Sequence, residues 1–545
     1  MFLKVEKITD YKKTYSEFKW EVPEYFNFAR DVFDYWAKDP ERLAMYWVDD
    51  NGNEKKRTFA QLAEESKKLA NVLREQGVKK GDVVVVVMSR QLEWWVINLA
   101  CLRVGAVISP GTVMLTPKDL KYRFDAAEAT CVIVDTANAP KVDEIRSDCP
   151  KLKCFITIEE KRDGWIFYDD AVAKASGDFE TENTRADENA ILYFTSGTTG
   201  YPKMTLHTHA SYPIGHIITG KYWLDLGTED LHWNLSDTGW AKAAWSSFYG
   251  PWNCGAAIFS HHTSGFNVKK TLEYLEKYPI TSLCGPPTAY RMFVLEDLSK
   301  YNFKTLRSVV AAGEPLNPEI IDYWQEHTGL KIRDGYGQTE SVCLAGNFPS
   351  VEVKAGSMGK PSPGFVVTII DDDGNEVPRG QEGDLAVKVK PERPVGLFKE
   401  YWKDPEKTAS TYRGDYYVTG DRGIMDEDGY LWFVGRADDV ILASGYRIGP
   451  FEVESALLEH RAVAESAVVS SPDEVRGEVV KAFVILAPGY TPSDELVKEL
   501  QDFVKKTTAP YKYPRKIEFV DELPKTISGK IRRIELREKE WAGKK

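Results

Sequence analysis

Apolar and polar positions repeat with two periods along this chain, and the change between them lays out the elements. After Thr58, the residues Phe59, Leu62, Ala63, Leu69, Ala70 and Leu73 recur at helical spacing, and Gly77 closes the run. That pattern predicts an amphipathic helix. Val83–Met88 is apolar throughout and predicts a short strand buried on both faces. Glu93–Arg103 predicts the next helix and Ala106–Ser109 the next strand. Further strands are predicted at Thr130–Asp135, Cys154–Ile158, Ala190–Phe194, Ile280–Cys284, Leu306–Ala312 and Lys331–Asp334, with a helix over Val268–Tyr278. Phe26 to Val48 reads as a helix leading into a strand, followed by the hairpin signal Asp50-Asn51-Gly52. Alternation of β and α at this spacing predicts parallel sheets with crossover helices.

The texture changes after about Gly359. Gly364–Val389 alternates with period two around the turns Asp373-Gly374 and Glu382-Gly383, and reads as β-rich. A compact α+β stretch then runs to the end. Its strands are predicted near Ala467–Ser470, Val479–Leu486 and Lys516–Val520, and its helix over Asp494–Lys506. The polar connector Gly435-Arg436-Ala437-Asp438-Asp439 suits a hinge better than a core element. At 545 residues the chain is too long for one core. The expected class is α/β. A large N-terminal domain, residues 1–437, carries parallel-type sheets with crossover helices and a β-rich subdomain. A small, mobile α+β C-terminal domain, residues 438–545, follows a hinge at Asp438.

Candidate chemistry concentrates in loops after the predicted strands, where α/β sheets bind ligands. Thr195-Ser196-Gly197-Thr198-Thr199-Gly200-Tyr201-Pro202-Lys203 follows the strand Ala190–Phe194. Its glycines let the backbone turn sharply and approach a ligand. Four Ser/Thr hydroxyls, free N–H groups and a closing lysine, with no acid among them, suit a polyphosphate. Most Ser/Thr/Gly stretches are solvated connectors; the strand before this one and the lysine after it favour phosphate. The Walker A spacing is absent. Gly313-Glu314-Pro315 and Asp334-Gly335-Tyr336-Gly337-Gln338-Thr339-Glu340 end two other predicted strands, so the three loops are expected to converge.

The net charge of −12 argues against a general nucleic-acid partner. Seven scattered cysteines without a C-x-x-C pair favour a reducing compartment over disulfides or zinc. Met1–Trp20 has no apolar leader, and no apolar run is long enough for an integral membrane segment. A cytoplasmic location is expected. The sequence leaves the oligomeric state open, a homo-oligomer included.

Taken together, the motifs resemble the adenylate-forming superfamily of acyl-CoA synthetases, adenylation domains and luciferases. Tyr193–Lys203, Tyr336–Glu340, Thr419-Gly420-Asp421, Gly435-Arg436 and Pro524–Lys530 stand in that family's order across nearly the full chain. Ser236–Trp240, Ser444–Pro450 and Ala509–Arg515 are similar to the medium-chain acyl-CoA synthetase group. Met204 departs from the wider superfamily's usual glycine but resembles that group.

The resemblance implies two half-reactions. A carboxylic acid attacks the α-phosphate of ATP to give acyl-AMP and pyrophosphate, and the thiol of CoA then expels AMP. It implies β- and γ-phosphate binding by Thr195, Ser196, Gly197, Thr198, Thr199, Gly200 and Lys203, and Mg²⁺ on Glu340. Gly313, Glu314, Pro315, Asp334, Gly335, Gly337, Gln338 and Thr339 would wall the adenine, with Tyr336 stacked on it. Asp421 would hold the ribose hydroxyls and Arg436 the ribose and phosphate. Lys530 would bridge the attacking carboxylate and the α-phosphate, making Lys530, Thr339 and Glu340 the catalytic group. Trp240, Thr339 and Arg447 would touch the acyl group. Ser444, Gly445, Tyr446, Arg476, Tyr513, Pro514 and Arg515 would bind CoA after the small domain rotates. Two alternatives are an adenylation enzyme loading a carrier protein, although no carrier domain follows residue 545, and a non-catalytic nucleotide-binding regulator.

Overall fold

The structure, a computed structural model, describes residues 6–195, 202–443, 446–473, 477–525 and 530–542. Two large sheets dominate it. The first runs in the order Glu400–Tyr401, Lys203–Thr208, Asn189–Thr195, Val107–Gly111, Val83–Val87, Cys131–Val134, Cys154–Thr157, Ile166–Phe167. Its centre is parallel, as the βα alternation predicts. Val83–Val87 is buried at all five positions, which suits β-branched residues covered on both faces. One edge departs from the expectation. Lys203–Thr208 returns antiparallel to Asn189–Thr195, with Thr195 opposite Lys203. The two ends of the hydroxyl-rich loop are therefore fixed side by side.

The second sheet has nine strands. Leu231–Asn234, Ala257–His262, Ser282–Gly285, Ser308–Ala312 and Arg333–Tyr336 pair in parallel at its centre. The ends at Gly285, Ala312 and Tyr336 therefore face one side. Between the sheets lies the largest core, where Trp94, Trp95, Trp223 and Trp252 are among the fully buried side chains. The helix Phe59–Glu75 covers part of it, started by a reciprocal cap between Thr58 and Gln61. The β-rich stretch forms a five-stranded sheet around Glu382–Lys388 and Tyr416–Met425.

From Ile441 onward the chain builds cores of its own. Val463–Asp473, Gly477–Leu486 and Lys516–Phe519 form a three-stranded sheet backed by Pro450–Leu458 and Asp494–Thr507. A further helix, Arg533–Trp541, which the apolar pattern does not predict, packs against Val463–Asp473. Among the described residues, no helix is long and apolar enough to cross a membrane.

Candidate active site

The loop Asp334–Glu340 is the floor of the site, and two tryptophans fix its path. A Cβ on Gly335 would lie 2.4 Å from Trp223 Cε2, and one on Gly337 would lie 2.3 Å from Trp245 Cη2 and from the Val342 carbonyl. These glycines serve close packing. Gly313 differs: its φ is +110° with nothing within 4 Å of an added Cβ. Gly337→Ala is therefore expected to cost about 1–3 kcal/mol through overpacking. Gly313→Ala should cost only about 1 kcal/mol through backbone strain. Calorimetric melts of both variants, with KM for ATP, check the ranking.

Past Gly337 the loop is held by side chains from elsewhere in the chain. The Thr339 carbonyl accepts from His207 Nε2 at 2.7 Å and from the Tyr212 hydroxyl at 2.5 Å. A carbonyl only accepts, so His207 carries its proton on Nε2, and Nδ1 meets Ser211 Oγ at 3.0 Å. Burial pushes His207 down to about 3, so the ring is neutral. Glu340 Oε1 accepts from the Tyr401 hydroxyl at 2.8 Å, leaving the rest of its carboxylate to the cleft. Lys203 sits beside it, with its ammonium 5.3 Å from the Tyr401 ring centre. Burial lowers the Lys203 pKa, Lys407 adds to this, and Glu340 opposes it.

Asp421 anchors the opposite wall and is 5% exposed. Its Oδ2 accepts from the Tyr336 hydroxyl at 2.5 Å and from Gln338 Nε2 at 2.8 Å, and Arg436 Nε lies 3.1 Å from Oδ1. Gln338 is oriented in turn by the Thr419 carbonyl and the Tyr417 hydroxyl. Loss of hydration raises the Asp421 pKa, and Arg436 pulls it back. Asp334 is 4% exposed, and its carboxyl is pushed up to about 8 by burial. Glu314 is held by Arg291 at 2.8 Å and by Thr288 at 3.2 Å, with Pro315 partly covered beside it.

Lys530 reaches this cleft from the small lobe. Its surface is open to solvent, yet protein surrounds it at longer range, and the resulting loss of hydration lowers its pKa. Glu314 and Asp421 oppose that shift and Arg436 adds to it. Lys242 lies close enough to feel the same charge. The sequence reading missed Lys242. It donates to the Gly285 carbonyl at 3.1 Å and the Ala312 carbonyl at 2.6 Å, tying two strand ends together. A lysine inside the apolar run Trp240-Ala241-Lys242-Ala243-Ala244-Trp245 was the available signal. Tyr401, Tyr212 and His207 carried no comparable signal.

Trp240 is partly exposed at the start of a short helix, whereas Trp233, Trp245 and Trp252 are buried. Tyr446 stacks on Tyr511, ring centres 4.2 Å apart, on an exposed face of the small lobe. Arg515 Nη1 donates to the Tyr513 hydroxyl at 2.6 Å, and Pro514 between them is buried. Asp438 is exposed between the lobes, and the backbone of Arg447 pairs with Leu442. Ser196, Gly197, Thr198, Thr199, Gly200, Ser444, Gly445 and Arg476 lie outside the described residues.

A two-sheet body, a small α+β lobe and a polar cleft between them are the architecture of an adenylating enzyme. The chain belongs to the AMP-binding enzyme family: the family model matches residues 32–402, and the model of the AMP-binding enzyme C-terminal domain matches residues 452–530. It is 53% identical over 546 residues to the acyl-coenzyme A synthetase ACSM3, mitochondrial, of Mus musculus, covering 98% of this chain and 94% of the relative. The protein of the same name from Homo sapiens is 52% identical, covering 98% and 93%. Among solved structures, an anthranilate CoA ligase, AuaEII, in complex with anthranoyl-AMP superposes with a TM-score of 0.88 at 30% identity, covering 96% of this chain and 98% of that one.

These likenesses bear out the resemblance to the adenylate-forming superfamily and its medium-chain group, and with it ATP-dependent acyl-CoA synthesis. They overturn the expected cytoplasmic location, because the relatives are named mitochondrial. That expectation rested on the missing apolar leader, a feature of secretion. Mitochondrial targeting uses basic amphipathic segments instead.

Proposed function

We propose that this acyl-CoA synthetase acts on medium-chain, branched or aromatic carboxylic acids, with the small lobe serving the two half-reactions in two orientations about Asp438. The boundary between residues 437 and 438 divides body from mobile lobe. One observation carries the reading: Lys530, from the small lobe, lies within charge range of Asp421 and Glu314 in the body's cleft. That arrangement suits the first half-reaction. The carboxylate oxygen forms a bond to the α-phosphorus, the bond to the bridging oxygen breaks, and pyrophosphate leaves. Two anions meet, so positive charge must already be in place.

Thr195–Lys203 hold the β- and γ-phosphates. The buried Asp421 takes the ribose hydroxyls with lone pairs that Tyr336, Gln338 and Arg436 leave unused. The ring of Tyr336, oriented by its own hydroxyl on Asp421, covers the adenine, and Gly313, Glu314, Pro315 and Asp334–Thr339 complete that wall. Glu340 fits Mg²⁺, because among the described residues only one of its oxygens is taken, by Tyr401. No group of three acidic, His or Cys ligands stands among the described residues, so the ion would be shared between Glu340 and phosphate oxygens. When bound, Mg²⁺ neutralises phosphate charge.

In the second half-reaction the lobe turns, and Ser444, Gly445, Tyr446, Arg476, Tyr513, Pro514 and Arg515 face CoA. Its thiol attacks the acyl carbonyl, the proton leaves with solvent, and AMP departs. Trp240, Thr339 and Arg447 border the acyl group. The structural likeness to an anthranilate CoA ligase supports including aromatic acids. The test is thioester formation with ATP, Mg²⁺ and CoA across straight, branched and aromatic acids, with AMP release followed in parallel. A preference for straight acids beyond medium length would refute the acid class, and acylation of a carrier protein but not of CoA would refute the reaction.

A further inference from the structure

The segment between the lobes is anchored on both sides, and its anchor on the small-lobe side is Arg537. This residue lies on the helix Arg533–Trp541. Its Nη1 donates to the backbone carbonyl of Asp438 and, at 2.9 Å, to Asp439 Oδ1. On the body side the Ala437 N–H donates to the Gly420 carbonyl at 3.0 Å, and Arg436 pairs with Asp421. Between the two anchors a turn can fall only on the torsions of Ala437 and Asp438.

Turning about the N–Cα or the Cα–C bond of Asp438 carries its carbonyl along with the chain that follows. Arg537 belongs to that following chain, so its grip survives the turn. Other bonds do not. Asp439 N–H and Val440 N–H donate to the Arg436 carbonyl at 2.9 and 3.1 Å, across the pivot. Asn317 Nδ2 donates to Ser455 Oγ at 3.0 Å, from body to small lobe. These contacts hold the present orientation and are lost when the lobe turns.

We propose that Arg537 is a positioning residue that fixes the small-lobe end of the hinge, confining the turn to Ala437 and Asp438 so that the lobe arrives in register for thioester formation. This rests on the reading of Asp438 as the hinge. These bonds hold the present orientation without Arg537 and are given up on turning, so the loss of Arg537 is expected to weigh more on the second half-reaction. The pair is partly hydrated, since a cavity of about 370 Å³ opens beside it between Asp438, Val440, Ser470, Glu478 and Trp541.

The experiment separates the half-reactions. In Arg537→Met, ATP–pyrophosphate exchange should stay within about twofold, while thioester formation from supplied acyl-AMP and CoA falls about tenfold. Arg537→Lys should recover most of that loss, because one ammonium can donate to both acceptors. Equal losses in both steps, no loss in either, or no recovery with lysine would overturn the proposal. Asp438→Pro is the control for the hinge itself. If it affects both steps alike, the hinge reading fails and takes this proposal with it. If it splits them while Arg537→Met does not, only the anchor is wrong.

Discussion

Lys530→Ala is expected to lower carboxylate-dependent ATP–pyrophosphate exchange by about a thousandfold, the loss expected when a preorganised charge at the reacting centre is removed. Thioester formation from supplied acyl-AMP should stay within about threefold, because in the proposed two-orientation cycle Lys530 would leave the cleft before CoA attacks. The asymmetry follows from where charge develops. In the first step a carboxylate approaches a triphosphate, and in the proposed reading Lys530 would be the positive group that the small lobe adds to Lys203 and Arg436 of the body. A flexible ammonium suits this task, since it can follow both oxygens as they close. Its environment also sets a pH signature. Loss of hydration holds the Lys530 pKa below that of an ordinary lysine, against the pull of Glu314 and Asp421. In the proposed role the protonated form would be the active one. Adenylation therefore declines as pH rises through that lowered value, earlier than an ordinary lysine would dictate, whereas the thioester step should lack this limb. Equal loss of both half-reactions in Lys530→Ala would falsify the two-orientation assignment.

Much of the body was legible because its signals are local and redundant. The predicted strand Val83–Met88 appears as Val83–Val87, and the predicted helix over Asp494–Lys506 as Asp494–Thr507. Each rests on a strong apolar signal within one segment. The strand Lys203–Thr208 was not predicted, because pairing direction depends on where a chain returns, not on its own period. The helix Arg533–Trp541 was missed for a different reason. Only Leu536 is buried in it, so its apolar stripe is too thin to read among the charges. Yet that helix carries Arg537.

The candidate site divides the same way. Loop motifs marked Asp421, Glu340 and Lys530. The groups that orient the site loop come from elsewhere in the chain: Tyr401 for Glu340, His207 and Tyr212 for Thr339, and Tyr417 for Gln338. His207 is a structural residue, and what it supports is the loop Asp334–Glu340. Trp223 and Trp245 explain the glycines at 335 and 337 as packing necessities, which a motif alone does not distinguish from backbone flexibility.

Glu340→Gln is expected to lower kcat/KM for ATP by about a hundredfold and to raise the Mg²⁺ concentration giving half-maximal exchange by about tenfold. The substitution isolates charge. Glutamine keeps the volume, and its carbonyl can still accept from the Tyr401 hydroxyl, so the loop should remain in place. What disappears is the anionic oxygen that would share Mg²⁺ with the phosphates. Without it the ion is held by substrate and water alone, and Lys203 faces the phosphates with no opposing carboxylate beside it. Tyr401→Phe offers the complementary cut. It leaves the charge but releases its orientation, and should shift the Mg²⁺ requirement by only about two- to threefold. A titration of exchange rate against Mg²⁺ at fixed ATP reads all three proteins. An unchanged Mg²⁺ requirement in Glu340→Gln, with the melting temperature preserved, would remove the metal from this carboxylate. Glu340 would then be a hydrogen-bond acceptor that fixes the Tyr401 side of the cleft.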